Sequence, residues 1–523
     1  MKNFLIQRHR IIIPLGIILT GFFLRLYSLQ HSYAINSDGM LYIQQAKAFH
    51  YGLYGSLTKC YDYLNSLFIF ISISYRVFGD WLMAAKVVSL FFSTITMVPL
   101  YFLLRRFLDF SVASCTLLVF AVNPIIIEMS SKIIRDPSFW FFLTLGIYSF
   151  ILSDIKKKCL ILLFSCLSFL LASLARFEAI VFIPATLAFL LFTPQVKKWK
   201  KIGYFLAPVF LIVLLTLCAA PLMGYDLKQW FYPRSLSKPF LGAIEKYEQI
   251  QHGLTNIGNK QRNSFWSHYF FPTTSNLLWW IGLGSVIVEI VRTFFEPFFL
   301  LFVLGFKGII KRIKEDKMLC YLLVVAITSF FVLYLHELGH WTMRGRFVVF
   351  FLIPTFVVIG FGIENLFSLF GNIKNVKKIY LFLILGLTIF LIPLPKNMDE
   401  NRENAKIFQD IGNQISLCED SRQEVKVAAA FDADDIEIIS FFANLSVEEA
   451  SCVKSLSKKI DPHFVFRKGK LRKMGIAYLV WDEKNWTIED LERLKKGEEI
   501  PCTEIKGWQD QRLGRLILFR IHE

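Results

Sequence analysis

This sequence predicts a polytopic α-helical membrane protein that carries a soluble α/β domain at its C-terminal end. Three observations support that class. Apolar residues make up 55% of the 523 residues and aromatics 16%, with 54 Phe and a mean hydropathy of +0.49, more than a water-soluble fold carries. Apolar runs near the bilayer-crossing length of about 20 residues recur from residue 11 to residue 394. After Pro393 and Pro395 the composition turns charged and polar to the end of the chain.

The apolar runs predict about eleven spans, near 11–30, 82–104, 110–127, 137–153, 159–175, 179–194, 202–220, 290–306, 318–335, 347–370 and 379–394. The first follows Lys2, Arg8 and Arg10 and is longer than a signal-peptide core, so it reads as an uncleaved anchor. With a cytoplasmic N-terminus, the inner connections hold Arg105-Arg106, Lys156-Lys157-Lys158, the Lys197–Lys201 run, KGIIKRIKEDK at 307–317, and Lys374 with Lys377-Lys378. Every cluster falls inside, as the positive-inside rule asks. One misplaced span would reverse the clusters beyond it, so charge supports the span count as well as the orientation.

The remaining connections then face outward: 31–81 and 221–289 are long, and 128–136, 176–178 and 336–346 are short and charged. Residues 62–79 read as an amphipathic helix lying in the outer interface, and 276–289, with Trp279-Trp280, as a second such segment. Residues 1–395 are expected to form the membrane domain. Residues 396–523 form an outer domain, with helices near 401–416, 434–443 and 487–496 and strands at 425–431, 476–481 and 515–521, a small α/β layer.

The formal charge of +17 and pI near 9.3 are used in topology. No basic face with interleaved stacking aromatics exists outside the apolar runs, so nucleic acid is not an expected partner. Of nine Cys, Cys115, Cys159, Cys166, Cys218 and Cys320 lie in or beside apolar runs, and Cys418, Cys452 and Cys502 fall in the tail, where one disulfide could form. No CxxC pair exists.

His336-Glu337-Leu338-Gly339-His340 matches the HExxH pattern of zinc proteases. A Gly between the two His, a turn-like TMRGR after them and the position at a span end argue instead for a pair of interfacial histidines. The first outer loop places Asp38 in Ser37-Asp38-Gly39, ahead of MLYIQQAKAF. Its bland reading is a helix-capping or first-turn carboxylate. Arg135-Asp136-Pro137, Arg176-Phe177-Glu178, and Arg344 with Arg346 are ionisable groups at span ends, each of which alone reads as an anchor or a local ion pair. With Asp38 they put three carboxylates and four guanidinium groups on one side of the membrane, and such a set of guanidinium groups suits a polyanionic headgroup.

The SDGMLYIQQAKAF loop, the helix ending VFGD, the MAAKVVSLFFSTITMVPLYFLLRRF span, NPIIIEMSSKIIRDPSFWFFLTL, the SLARFEAIVFIPA turn and the MRGRFVVFFLIP span resemble, in the same order, the GT-C superfamily of membrane glycosyltransferases. The resemblance is to the branch of protein O-mannosyltransferases and lipid A aminoarabinose transferases. It covers residues 15–190 and 336–356, and the rest in layout.

That resemblance implies inverting transfer of a sugar from a polyprenyl-phosphate donor to a hydroxyl of a lipid, glycan or protein acceptor on the outer face, in a bacterial inner membrane. It maps the catalytic carboxylates onto Asp38, as general base, and Asp136. Lys59, Arg135, Arg176, Arg344 and Arg346 are then expected at the donor phosphate, with Tyr42, Glu178 and His340 supporting. Gly39 stands where relatives carry a second acidic residue, and Arg346-Phe347 replaces the usual Arg-Tyr. Asp38 and Asp136 could together hold a divalent ion, but no third ligand is evident in the sequence, so no metal or other cofactor is indicated. The alternative reading is a transporter or flippase of a lipid-linked glycan, although the internal repeats and broken mid-membrane helices of transporters are not evident in the sequence.

Overall fold

The computed structural model describes residues 2–32, 35–57, 65–194, 197–222, 233–260, 266–371, 378–398, 405–419, 423–449, 451–462, 470–497 and 500–522. The chain divides into two units. The first is Met1–Arg25, Phe91–Met129 and Asp136–Met398; the second is Leu26–Leu90, Ser130–Arg135 and Asp399–Glu523.

The apolar runs fold as helices α1 (Lys2–His31), α2 (Ser37–His50), α3 (Leu67–Phe78), α4 (Trp81–Ile95), α5 (Met97–Phe107), α6 (Phe110–Val122), α7 (Pro124–Ser131), α8 (Asp136–Lys156), α9 (Ile161–Ala175), α10 (Phe182–Phe192) and α11 (Lys198–Leu222). They continue with α12 (Pro233–Lys260), α13 (Phe271–Phe294), α14 (Glu296–Arg312), α15 (Lys317–His340), α16 (Gly345–Gly371) and α17 (Lys378–Leu391). Among the described residues eight helices are long and apolar enough to cross a membrane, nine if the pair α6 and α7, bent by 50°, is one span. The protein is thus a multi-pass membrane protein.

Two proline breaks shape the first unit. Pro124 has no N–H to give the Phe120 carbonyl, and the chain bends at Asn123. Arg25, fully buried, donates to the carbonyls of Ala121 at 3.0 Å, Phe120 at 3.4 Å and Gly21 at 2.9 Å. Pro297 ends α13 in the same way, with Phe295 at φ +66°. The Asn123 amide then donates to the carbonyls of Thr293 and Phe294, both at 3.1 Å. Buried carbonyls released by proline are costly unless paired, and Arg25 and Asn123 pair them.

The second break corrects the expected parsing. A 290–306 span straddles Phe295, and the segment expected to lie in the interface belongs to the 24-residue helix α13. That helix packs along the His340 end of α15: Tyr334 donates to the Trp279 carbonyl at 3.1 Å. Tyr247 of α12, Leu278 and Leu338 form one apolar cluster there. Gly305 and Gly362 let α14 and α16 touch, because a Cβ on either would lie within 2 Å of a carbonyl oxygen of the other helix.

The basic connections expected inside share one end of this unit. Arg106 pairs with Asp316 at 3.1 Å, Arg312 with both oxygens of Glu364 at 2.9 Å, and Lys317 and Lys201 with Asp154 at 2.9 and 3.7 Å. Lys374 and Lys377 lie outside the described residues.

In the second unit, α3 buries Leu67, Phe68 and Ile71 and exposes Ile69, Ile73, Val77 and Phe78, the two-faced helix expected of the first loop. The tail supplies α18 (Ala405–Cys418), β1 (Lys426–Ala429), α19 (Ala433–Ala443), β2 (Ser457–Lys459), β3 (Ile476–Asp482), α20 (Ile488–Lys496), β4 (Cys502–Asp510) and β5 (Gly514–Ile521). The sheet order is β2-β1-β3-β5-β4, parallel from β2 to β3 and antiparallel beyond. Leu479, Trp481, Ile517, Phe519 and Leu494 fill one core of it. The disulfide that the three tail cysteines could form among themselves is not made: Cys418 and Cys502 are free thiols, and Cys452 is disulfide-bonded.

Candidate functional site

In the first unit, three segments expected to carry charge outward meet at the end opposite the basic layer. Asp136 opens α8, where its carboxylate faces the positive helix N-terminus. Arg176 caps α9 in extended backbone, and a 3₁₀ turn, Phe177–Val181, follows it. Both are buried, at 1% and 4% exposure. Arg176 Nε donates to Asp136 Oδ1 at 2.7 Å, and an Nη atom lies 2.5 Å from the same oxygen. Glu178 is 3.9 Å from the other Nη. Among the described residues Asp136 Oδ2 is buried with no hydrogen-bond partner.

The guanidinium of Arg176 lies 4.7 Å over the Phe347 ring, and that of Arg346 lies 5.1 Å over it. His336 packs on the same ring at 4.3 Å and stacks on His340 at 4.4 Å. Phe347 is therefore a platform shared by two arginines and a histidine, a role not read from its sequence. The signal was available in the Arg-Phe pair at a span start, since guanidinium groups favour aromatic faces. Arg344 is exposed and Arg346 half-buried. The carbonyl of Arg344 accepts from the Phe347 N–H at 2.9 Å as α16 begins.

His336 and His340 share one face of the last turns of α15, and Glu337 points elsewhere, 2% exposed with Oε2 lacking a hydrogen-bond partner among the described residues. Trp341 ends the helix in left-handed backbone, φ +52°. Among the described residues no three His, Cys, Asp or Glu side chains are grouped to hold a metal ion.

In the second unit Asp38 is the second residue of α2, half-exposed, after the N-cap Asn36. Asn36 caps nothing with its side chain; its amide donates to the Ile133 carbonyl at 3.2 Å. Gly39 lies so close to Ile133 that a Cβ would meet it at 2.9 Å. A second acidic residue at position 39 would not fit without movement of Ile133. The start of α2 is thus set against the 130–135 segment, which also carries the half-exposed Arg135. Tyr42, one turn beyond Asp38, is buried. Lys59 lies outside the described residues.

The helical unit, with charge gathered at both ends, and the appended small sheet have the fold of the GT-C class of membrane glycosyltransferases. The profile of the dolichyl-phosphate-mannose-protein mannosyltransferase family matches residues 67–222. ArnT from Cupriavidus metallidurans, solved bound to undecaprenyl phosphate, matches 98% of this chain over 97% of its own, with 11% identity and a TM-score of 0.56. The Archaeoglobus fulgidus oligosaccharyltransferase AglB, solved with an inhibitory peptide and dolichol-phosphate, matches 90% over 69% of its length, with 12% identity and a TM-score of 0.52. No curated protein matches the chain by sequence.

Proposed function

We propose that the protein is an inverting glycosyltransferase that moves a sugar from a polyprenyl-phosphate donor to a hydroxyl acceptor outside the cytoplasm. The observation that carries this reading is the buried Asp136–Arg176 pair, with Arg176 and Arg346 on one aromatic ring and a carboxylate oxygen left open. Such a pair is costly to build into a membrane protein, and a phosphorylated sugar supplies both the anion for the guanidinium groups and hydroxyls for Asp136 Oδ2.

In this reading Asp38 takes the proton of the acceptor hydroxyl as its oxygen attacks the anomeric carbon. The bond from that carbon to the phosphate oxygen breaks on the opposite face. Polyprenyl phosphate leaves as an anion, so no general acid is needed, and Arg135, Arg176, Arg344, Arg346 and Lys59 stabilise the developing charge. Tyr42, Glu178 and His340 support these groups.

The proposed topology has the N-terminus and the Arg106–Asp316 layer in the cytoplasm, a membrane domain of 1–395 and an outer domain of 396–523, in a bacterial inner membrane. The disulfide at Cys452 supports an oxidising compartment for that outer domain. The two structurally similar proteins solved with lipid phosphates support the donor class.

The test is incubation of purified protein in liposomes with a panel of labelled polyprenyl-phosphate sugars and membrane acceptors. Transfer with inverted anomeric configuration is expected. A protein that binds the donor and moves it across the bilayer without transfer is a flippase and overturns the proposal.

A further inference from the structure

The helix that bears Asp38 is held at its other end by the tail. Gln44 Nε2 donates to the Ser451 carbonyl at 3.1 Å, and the Lys47 ammonium donates to the Leu445 carbonyl at 2.8 Å and to that of Val447. Lys47 is 4% exposed. Burial lowers its pKa to about 8, against the raising effect of Glu448. Its two carbonyl partners offset the cost of withdrawing the ammonium from water.

The surface it grips is itself anchored. Asn444 donates to the Val425 and Ser440 carbonyls at 3.0 and 2.8 Å and accepts from the Val425 N–H at 2.8 Å. The Ser451 N–H donates to Glu424, and Cys452 beyond it is disulfide-bonded. Leu445, Val447 and Ser451 are therefore fixed to the sheet that begins at β1. At its N-terminal end α2 rests on Ile133 through Asn36 and Gly39. The helix is clamped at both ends, with Asp38 in its first turn.

We propose that Lys47 is a positioning residue: it docks α2 on the C-terminal domain so that the carbonyls of Leu445 and Val447 set where the Asp38 carboxylate stands. The C-terminal domain then contributes to catalysis by placement. This inference rests on the assignment of Asp38 as base. Displacing a reacting group by about 1 Å costs on the order of 10²-fold in rate.

The experiment uses full-length protein carrying Lys47→Met, Lys47→Arg or Gln44→Ala, and measures kcat, the KM for each substrate and donor binding separately. Lys47→Met is expected to lower kcat about 10²-fold with donor binding unchanged. Lys47→Arg, whose guanidinium can reach two carbonyls, recovers a large part of it, and Gln44→Ala gives a smaller loss in kcat alone. Should Lys47→Met fail to fold, the Arg and Ala variants carry the same comparison. Unchanged kcat in the variants overturns the proposal, as does loss of donor binding in step with kcat, which marks a merely structural contact. Full activity of Asp38→Asn would instead remove the base assignment, a failure separate from that of Lys47.

Discussion

Arg176 and Asp136, 40 residues apart, share a single oxygen: two nitrogens of the guanidinium meet Oδ1, and Oδ2 of the same carboxylate faces no hydrogen-bond donor among the described residues. Arg–carboxylate pairs are frequently bidentate, closing both oxygens in a fork, and this one leaves Oδ2 open.

Removing one partner separates its structural and functional parts. Asp136→Ala leaves the Arg176 cation buried beside Glu178 alone and is expected to cost about 3–5 kcal/mol, read as a fall in thermal unfolding temperature in detergent. Asp136→Asn keeps the oxygen toward Arg176 and should stay folded while transfer falls. Equal stability of the Ala variant and wild type would contradict the burial argument.

Phe347 holds two guanidinium groups. Phe347→Leu keeps the apolar volume and removes the ring, and the loss of cation–π attraction of about 1–2 kcal/mol should weaken donor binding by roughly five- to thirtyfold. Titration of a labelled polyprenyl-phosphate donor measures this directly, and an unchanged affinity would exclude Phe347 as the platform.

Arg25→Leu deletes the donor to the Gly21, Phe120 and Ala121 carbonyls. Each buried carbonyl left unpaired costs about 1–3 kcal/mol, so the variant should unfold at markedly lower temperature. A combined replacement that also removes the bend, Pro124→Ala, should recover part of the loss, because the helix can then pair the Phe120 carbonyl itself.

Much of this was legible in the chain. The spans follow from runs of apolar residues, and Asp136, Arg176 and Arg346 could be singled out because charged residues at several span ends fall on one side of the membrane. Arg25 is not marked by the sequence, since one charge leaves a long apolar run still hydrophobic enough to span, with a mean hydropathy of 1.9. Proline alone did not place the breaks at Asn123 and Phe295, whose freed carbonyls are met by partners 96 and 170 residues away. Strands β2 and β4 were missed because they are polar sheet edges, with β4 largely exposed. The docking of Lys47 on Leu445 joins residues 398 apart, and no local pattern encodes it.

The ionisation of Lys47 gives a stability signature. In the folded chain the proton leaves near pH 8, whereas in the unfolded chain it leaves near the ordinary value of 10.5. Between these values the unfolded state binds more protons, so stability rises with pH across that window. Denaturant unfolding from pH 8 to pH 10.5 should show this rise in wild type and a flatter profile in Lys47→Met. Parallel profiles would place the Lys47 proton elsewhere.

In the proposed mechanism Asp38 is the base. The most direct measurement is sugar transfer by Asp38→Asn and wild type from the same polyprenyl-phosphate donor, with donor binding measured alongside. Turnover is expected to fall about 10²–10⁴-fold with donor affinity and unfolding temperature unchanged. Turnover close to wild type would contradict it.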